Sequence, residues 1–294
     1  MQIGSRDFDL SGNRTYIMGI LNVTPDSFSD GGRFLSSDGW SLDMKAVIEH
    51  VESMIDGGAD IIDIGGESTR PGHARVSEDE ERSRVLPVID AIRKVSDIPI
   101  SLDTTKVNVA RAGIACGADL INDVSGLHAD GLAKLIAGSK VPCVIMHDGQ
   151  YFKNDTYTGA DTADESDTPQ KAYVRRVRAE LDECVKIADE AGISRDKIIL
   201  DPGIGFGKDY RQNLSILGNL ETLMEDLDLP MLLACSRKSV IGSALGDVPT
   251  DKRLEGTLVT SALATLAGIP MVRVHDVREN AAAIRMARAL RTVR

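Results

Sequence analysis

The chain has 294 residues, of which 42% are hydrophobic and 4% aromatic, and its formal net charge is −11. A chain of this size can bury one large aliphatic core, and α/β barrels of roughly 250 residues fold as one domain, so we predict a single domain over residues 1–294. The acidic balance argues against non-specific nucleic-acid binding, because no basic face would attract phosphates.

The sequence shows no targeting or membrane-spanning segment. Residues 1–10 lack the basic and apolar regions of a secretory signal, and the longest nearly apolar stretch, 258–272, is interrupted by polar residues, glycine and proline. The cysteines have no paired spacing, which favours reduced thiols. They are Cys116, Cys143, Cys184 and Cys235. We therefore expect a cytoplasmic protein with no membrane partner.

The first fifteen residues stand apart from the rest of the pattern. Residues 2–15 precede the first long apolar run, and 11–13, Ser-Gly-Asn, are typical of a turn. We predict a small β-hairpin here that covers the bottom of the fold.

Eight short apolar runs follow along the chain, and each ends on polar residues. The runs are 16–23, 60–66, 99–105, 120–126, 142–148, 197–203, 231–237 and 271–277. Their polar tips are Asn22, Glu67, Asp103, Asn122, His147, Asp201, Arg237 with Lys238, and Arg273 with His275. Buried strands that carry polar groups at their carboxyl ends indicate a parallel α/β barrel with a site at one rim.

Helical patterns separate these runs. Apolar residues recur at helical spacing from Val47 to Ile55 and stop at two glycines, and Ser77 and Thr168 are suitable N-caps for later helices. The alternation predicts repeated βα units. A doubly wound open sheet is the alternative, but no G-x-G-x-x-G follows the first strand, and eight strands suit closure better.

The exits of the first two strands carry many oxygen donors and hydroxyls. Segment 18–32 places six such residues close together, and oxygen ligands suit a hard cation such as Mg²⁺, which prefers one or two protein oxygens with a ligand phosphate. A purely structural loop would rarely place Phe28 among them. Segment 65–72, GGESTRPG, adds the guanidinium of Arg70, but alone it is as readily a turn with a surface salt bridge.

Asp103, Asn122 and Asp201 are more informative as a set. Each follows an aliphatic run and would be partly buried, and an unpaired buried carboxylate is costly. For any one of them, helix capping or pairing with Lys106 or Lys208 is an open alternative. Together, two carboxylates and an amide match a planar heterocycle that offers several N–H donors.

The later strand exits supply positive charge. Segment 201–208 has the glycines of a phosphate loop without the P-loop spacing, and 236–239 adds cations. The strand period of two places Arg273 and His275 on one face. Such a pair at a barrel mouth favours an anion or planar-ligand site over a structural ion pair. His147 is more typical of a hydrogen-bonded structural residue.

These segments resemble, in order and spacing, the signatures of the dihydropteroate synthase family. The resemblance covers nearly the whole chain and rests on MGILNVTPDSFSDGG, GGESTRPG, LDTT, IND, LDPGIGFGK, SRKS and RVHD. It implies a TIM (β/α)8 barrel, usually a homodimer, that joins 6-hydroxymethyl-7,8-dihydropterin diphosphate to 4-aminobenzoate in folate synthesis. It also implies sensitivity to sulfonamides as mimics of aminobenzoate.

The resemblance further implies roles, carried over position by position. The metal ligand is Asn22, which would hold Mg²⁺ with the diphosphate. The pterin would be bound by Asp103, Asn122, Asp201 and Lys238, with Met146 and Phe206 packed on its ring. The diphosphate would be held by Thr69, Arg273 and His275. The aminobenzoate pocket would be formed by Phe28, Pro71 and Ser239.

The candidate catalytic residues all carry a charge or a titratable ring. They are Asp30, Arg70, Asp103, Lys238, Arg273 and His275. The mechanism implied needs no nucleophilic side chain, because the electron-rich pterin tolerates a developing methylene cation that the arylamine then attacks. Asp30 is expected to help stabilise that cation.

Two other functions are compatible with such a barrel. A corrinoid-dependent methyltransferase domain would need the pterin residues but no diphosphate site, so Asn22, Arg273 and His275 argue against it. A non-catalytic pterin-binding paralogue should have lost loop residues, whereas the TPDSFSDGG and STRPG loops are retained. The sequence therefore favours the synthase.

Overall fold

A short antiparallel hairpin precedes the barrel. Strand β1 (Gln2–Ile3) pairs with β2 (Arg6–Asp7). Gly4 lies in the turn with a φ of 58°, in the left-handed region that favours glycine. The predicted hairpin is confirmed, but its turn lies at Gly4 and not at 11–13, because the residue that accepts the left-handed conformation between the paired strands is this earlier glycine.

The eight predicted strands lie side by side in one parallel sheet. Their bounds are β3 (Tyr16–Asn22), β4 (Ile61–Gly65), β5 (Ile100–Asp103), β6 (Leu120–Asp123), β7 (Cys143–Met146), β8 (Ile198–Asp201), β9 (Leu232–Leu233) and β10 (Met271–Val274). Their order in the sheet is β8-β7-β6-β5-β4-β3-β10-β9. A bridge between Leu200 and Met231 joins the two edges. The TIM (β/α)8 barrel is therefore confirmed, and the open sheet is wrong.

The computed structural model describes residues 1–24, 42–67, 75–152, 168–225 and 227–293. Within these ranges the helices are α1 (Met44–Gly57), α2 (Glu78–Val95), α3 (Val107–Cys116), α4 (Leu132–Ser139), α5 (Pro169–Ala191), α6 (Tyr210–Gly218), α7 (Leu220–Met224), α8 (Ser239–Ala244), α9 (Leu254–Leu266) and α10 (Val277–Arg291). Not one of these described helices has the length and apolar character to cross a bilayer.

The predicted helix boundaries follow the local chemistry. Helix α1 ends at Gly57 and is capped by Gly58, whose φ is 104°. The Ser77 hydroxyl accepts the backbone N–H of Glu80 at 3.2 Å, and the Thr168 hydroxyl accepts that of Lys171 at 3.4 Å. Each of these bonds satisfies an amide that has no partner within the helix.

The barrel separates two apolar regions. The larger lies between the sheet and the helices. The smaller fills the lower barrel interior, where Ile3 and Phe8 of the hairpin region pack against inward-facing residues in the strands or directly after them. These are Tyr16, Met18, Ile61, Leu120, Val144, Ile199, Leu232, Ala234 and Met271. The amino-terminal end of the barrel is thus closed by apolar side chains, which leaves the carboxyl-terminal end as the open mouth.

Candidate active site

A cavity of about 280 Å³ opens at the carboxyl-terminal end of the barrel. Ten of the predicted site residues line it: Asn22, Asp103, Asn122, Met146, Asp201, Phe206, Lys238, Ser239, Arg273 and His275. The other five lie outside the described residues, so their roles stay predictions. They are Phe28, Asp30, Thr69, Arg70 and Pro71.

Two carboxylates hold the guanidinium of Arg273 in this cavity. Its Nε donates to Asp63 Oδ2 at 2.6 Å, and its Nη2 donates to Asp103 Oδ2 at 2.8 Å. Asn122 Nδ2 lies 3.4 Å from the same Asp63 oxygen. Burial lowers the pKa of the guanidinium, but the charges of Asp63 and Asp103 outweigh burial and raise it. Arg273 is therefore a fixed positive charge at the barrel mouth.

Asp63 is a residue that the polar strand tips do not reveal, because it lies in the middle of β4. Its side chain is completely buried. Ile61 belongs to the interior cluster, whereas Ile62 and Ile64 belong to the outer core, so the strand period of two turns Asp63 inward. That alternation was the available signal. A carboxylate two residues beyond an inward apolar side chain faces the barrel interior.

Asp103 is a buried carboxyl with a raised pKa. Burial raises its pKa to about 7, Arg273 opposes this rise, and the nearby charge of Asp63 adds to it. Because two carboxylates share one guanidinium, their charge is incompletely compensated. A ligand that donates an N–H bond to Asp103 would favour the ionised form.

Asp201 and Lys238 form another part of the cavity wall. Asp201 Oδ1 accepts the Gly203 N–H at 2.8 Å, and burial raises the pKa of this carboxyl against the charge of Lys238. Lys238 Nζ donates to the Ile204 carbonyl and lies 4.8 Å from the centre of the Phe206 ring. Burial lowers the pKa of Lys238. The ammonium is thus held over an aromatic face, beside a carboxylate.

The two lysines considered as partners for the buried carboxylates are engaged elsewhere. Lys106 Nζ forms ion pairs with Glu67, which lines the cavity, and with the buried Glu81. Lys208 Nζ donates to three carbonyl oxygens, those of His147, Gly203 and Phe206. Within the described part of the chain, neither lysine forms an ion pair with Asp103 or Asp201, although the charge of Lys208 opposes the raised pKa of Asp201. Lys106 therefore holds Glu67 in place, the last described residue before segment 68–74.

The two cations predicted in 236–239 lie in different environments. Lys238 lies against the Phe206 ring, whereas Arg237 is paired with a carboxylate. Arg237 binds Asp276 through Nε at 3.0 Å and Nη2 at 2.6 Å, so this charge is largely neutralised at the cavity edge. Ser236 Oγ lies 2.9 Å from His275 Nδ1. The partner of Arg237 was not predicted, because Asp276 follows the last strand by two residues and its direction depends on the turn into α10.

Asn22 ends β3 beside Gly65 of β4. A Cβ on Gly65 would lie 3.4 Å from Asn22 Oδ1 and 3.8 Å from Asp103 Oδ2, so the missing side chain leaves space between these oxygens. Across the described ranges, no group of three or more His, Cys, Asp or Glu side chains is placed to hold a metal ion. A cation at Asn22 would take one amide oxygen and depend on ligand oxygens, which fits Mg²⁺.

His147 takes no part in the cavity wall. Its Nε2 lies 2.6 Å from Glu180 Oε2, and its ring stacks on Phe152 with centroids 5.2 Å apart. Burial lowers its pKa. The expectation of a hydrogen-bonded structural histidine is confirmed.

Comparison with known proteins gives consistent results. A family model described as pterin binding enzyme matches residues 18–275. The dihydropteroate synthase of Clostridium beijerinckii is 48% identical over 288 residues, which cover 97% of each chain. The structure of dihydropteroate synthase from Clostridium difficile, determined in the presence of pteroic acid, has a TM-score of 0.81 and 44% identity over 97% of this chain and 99% of that one. That of Xanthomonas albilineans with 4-aminobenzoic acid has a TM-score of 0.81 and 36% identity over 96% and 95%.

Proposed function

The chain belongs to the pterin-binding enzyme family, and we propose that its barrel mouth divides the dihydropteroate synthase reaction between heterocycle-binding and diphosphate-binding residues. The enzyme is a transferase of folate biosynthesis that joins 6-hydroxymethyl-7,8-dihydropterin diphosphate to 4-aminobenzoate and releases diphosphate. The observation that carries the division is the cavity itself, in which buried carboxylates and buried cations line one space.

The heterocycle-binding residues are Asp103, Asn122, Asp201 and Lys238. Two carboxylates and an amide oxygen can accept N–H bonds from the edge of a pterin, and the Lys238 ammonium can donate to a ring nitrogen or carbonyl oxygen. Met146 and Phe206 supply apolar surface for the ring faces. Because these polar groups are already buried, they lose little hydration when the pterin enters.

The diphosphate-binding residues are Arg273 and His275, with Thr69 from the segment outside the described ranges. In the reaction the bond from the pterin methylene carbon to the diphosphate oxygen breaks, and its electron pair leaves with the diphosphate. The arylamine lone pair forms the new C–N bond, and the amine then releases a proton. A fixed guanidinium beside the departing oxygens lowers the barrier because negative charge grows there.

The second substrate is assigned to the outer part of the mouth. Ser239 lines the cavity, and Phe28 and Pro71 complete the proposed aminobenzoate pocket. Asp30 would stabilise positive charge at the methylene carbon, and Arg70 would act on the departing diphosphate. Binding of aminobenzoate analogues here accounts for the enzyme's standing as a sulfonamide target.

A magnesium ion is proposed at Asn22. The support is the amide oxygen at the end of β3, which makes no hydrogen bond to another described residue and faces the cavity beside Gly65. Bound there with the diphosphate oxygens, Mg²⁺ would supply charge neutralisation of the leaving group. Asn22 would hold the ion, while Arg273 and His275 would hold the remaining oxygens.

We expect Asn22→Ala to raise the Mg²⁺ concentration at which diphosphate release is half-maximal. The affinity for a pterin without diphosphate should stay unchanged. Asn13→Ala, in an exposed bend at the other end of the barrel, is the matched control. Mg²⁺ titrations of the rate, together with calorimetry of pterin binding, give both values. An unchanged Mg²⁺ midpoint in Asn22→Ala would remove the metal assignment.

A homodimer is also proposed. Exposed apolar side chains lie one turn apart on each of two helices that pack together, Val259 and Leu263 on α9 and Met286 and Leu290 on α10. A second copy of the chain could bury them. Sedimentation should give twice the monomer mass, and Val259→Glu should shift the equilibrium towards monomer. A wild-type monomer at high concentration would contradict the proposal.

A single domain over residues 1–294 and a cytoplasmic location are proposed as well. The location is supported by the cysteines, all four of which are free. Reduced, mostly buried thiols are typical of a reducing compartment.

A further inference from the structure

Asp63 contacts two of the cavity-lining residues from within strand β4. Its Oδ2 accepts the Arg273 Nε–H at 2.6 Å, and the Asn122 amide nitrogen lies 3.4 Å from the same oxygen. Both partners line the cavity, whereas Asp63 is completely buried and is not among the described residues that line it. Asp63 therefore acts on a ligand through its neighbours and not by a contact of its own.

Stability alone is a poor explanation for this carboxylate. Ile61 and Asp63 both point into the barrel, and Ile61 belongs to the apolar interior cluster. Taking a carboxylate and a guanidinium out of water costs free energy, and well-packed apolar residues in place of a buried ion pair are often equally stable or more stable. A role in the site explains the charge of Asp63 better than a role in the core.

Two carboxylates divide the guanidinium of Arg273 between them. Asp63 binds Nε, and Asp103 binds Nη2 at 2.8 Å. A guanidinium is planar and carries five N–H groups, so bonds to two of its nitrogens fix its plane and leave other N–H groups for a ligand. Without Asp63, the guanidinium would be free to turn and bind Asp103 through two parallel N–H groups, which is the preferred geometry of such a pair.

We propose that Asp63 is a positioning residue that holds Arg273 through Nε, so that the guanidinium stays available to the diphosphate and Asp103 stays available to the pterin. This inference rests on the proposed roles of Arg273 and Asp103. The held guanidinium needs no reorientation as negative charge collects on the leaving oxygens, so its full effect falls on the transition state.

The charges around Asp103 give the direction of a pH effect. These charged groups are Arg273, Asp63, Glu81, Asp123 and Lys238. Arg273 lowers the pKa of Asp103, and Asp63 raises it. Removing the charge of Asp63 would lower the pKa of Asp103, and a guanidinium released to pair fully with Asp103 would lower it further. A residue with a purely structural role would leave this pKa in place.

Activity tests whether Asp63 acts through Arg273. Asp63→Asn removes the charge and keeps the shape, and it should lower kcat roughly thirtyfold, as expected for a lost charge-assisted hydrogen bond, with the KM for aminobenzoate unchanged. In an Arg273→Ala background, Asp63→Asn should have little further effect on kcat. The matched control is Asp60→Asn, because Asp60 directly precedes the same strand and binds Arg14 at the closed end of the barrel. It should keep the wild-type kcat.

Binding of a dihydropterin without diphosphate gives a second value that needs no turnover. The pH midpoint of its affinity reports the ionisation of Asp103, and Asp63→Asn should move this midpoint to lower pH by roughly one pH unit. Asp60→Asn should leave it in place. A wild-type kcat in Asp63→Asn, additive effects of the two substitutions on kcat, or an unmoved midpoint would overturn the proposal. An undiminished kcat in Arg273→Ala, with the midpoint still moved, would uphold the action of Asp63 on Asp103 and overturn the diphosphate role of Arg273 instead.

The contact itself is measurable in the wild type, so the proposal stays testable if Asp63→Asn does not fold. A buried, hydrogen-bonded Nε–H exchanges slowly with water, and ¹⁵N NMR of the arginine Nε–H groups should show such a signal for Arg273 at pH 8. Arg273→Lys identifies the signal by its loss. An Arg273 Nε–H that exchanges as fast as those of exposed arginines would overturn the proposal.

Discussion

The lower and upper halves of the barrel interior are built by the same strands, but the lower half is apolar and the upper half is polar. On four strands, an apolar inward residue is followed two positions later by a polar one: Ile61 and Asp63, Leu120 and Asn122, Ile199 and Asp201, Met271 and Arg273. The lower layer stabilises the fold by removing apolar surface from water. The upper layer instead requires the desolvation of charged groups, which costs free energy. That cost is offset only by hydrogen bonds and ion pairs of good geometry or by a bound ligand. Two residues along a strand therefore separate the layer that stabilises the fold from the layer that binds the substrates.

The largest effect that tests this contrast is expected at Arg273. Arg273→Ala should lower kcat roughly a thousandfold, since it removes a fixed donor from the leaving diphosphate. The control is Arg111→Ala, an exposed arginine on α3. Steady-state diphosphate release with both substrates gives the values. A kcat within threefold of the wild type would show that the upper layer does not stabilise the leaving group.

A change in the lower layer should reverse this pattern. Ile3 is fully buried in the interior cluster, so Ile3→Ala should reduce the free energy of unfolding by about 3 kcal/mol and leave kcat unchanged at temperatures where the variant is folded. Ile3→Val should cost about 1 kcal/mol. Urea denaturation and the same rate assay measure the two properties. A large loss of kcat in a folded Ile3→Ala variant would mean that the two halves are not separate in function.

The smallest effect is a pH dependence. Burial raises the pKa of Asp103 to about 7, and the ionised carboxylate accepts an N–H bond from the pterin much more strongly than the protonated acid does. Protonation therefore competes with binding, and pterin affinity should fall about tenfold for each pH unit below the pKa and level off above it. Calorimetric titration of a dihydropterin between pH 5 and 8 follows the change. Asp103→Asn should bind weakly at every pH, and a wild-type affinity constant through this range would refute the assignment.

The sequence was sufficient for the barrel because its periodicities are local. Aliphatic runs, glycine stops and N-caps such as Ser77 each act within a few residues, and the structure agrees with them. The partners of charged groups were harder to predict. Asp63 meets Arg273 across 210 positions of the chain, and Lys106 meets Glu81 across 25, so neither pair leaves a local signal. The candidate site was found from the polar residues at the strand ends. These identify the residues that line the cavity, but not residues such as Asp63 that lie within a strand and hold the lining residues in place.

The most direct test of the whole account is diphosphate release from 6-hydroxymethyl-7,8-dihydropterin diphosphate, measured with and without 4-aminobenzoate and Mg²⁺. We predict release that requires the pterin diphosphate, 4-aminobenzoate and Mg²⁺ and that forms one dihydropteroate for each diphosphate. Pterin binding without diphosphate release, under conditions in which the protein is folded, would contradict it.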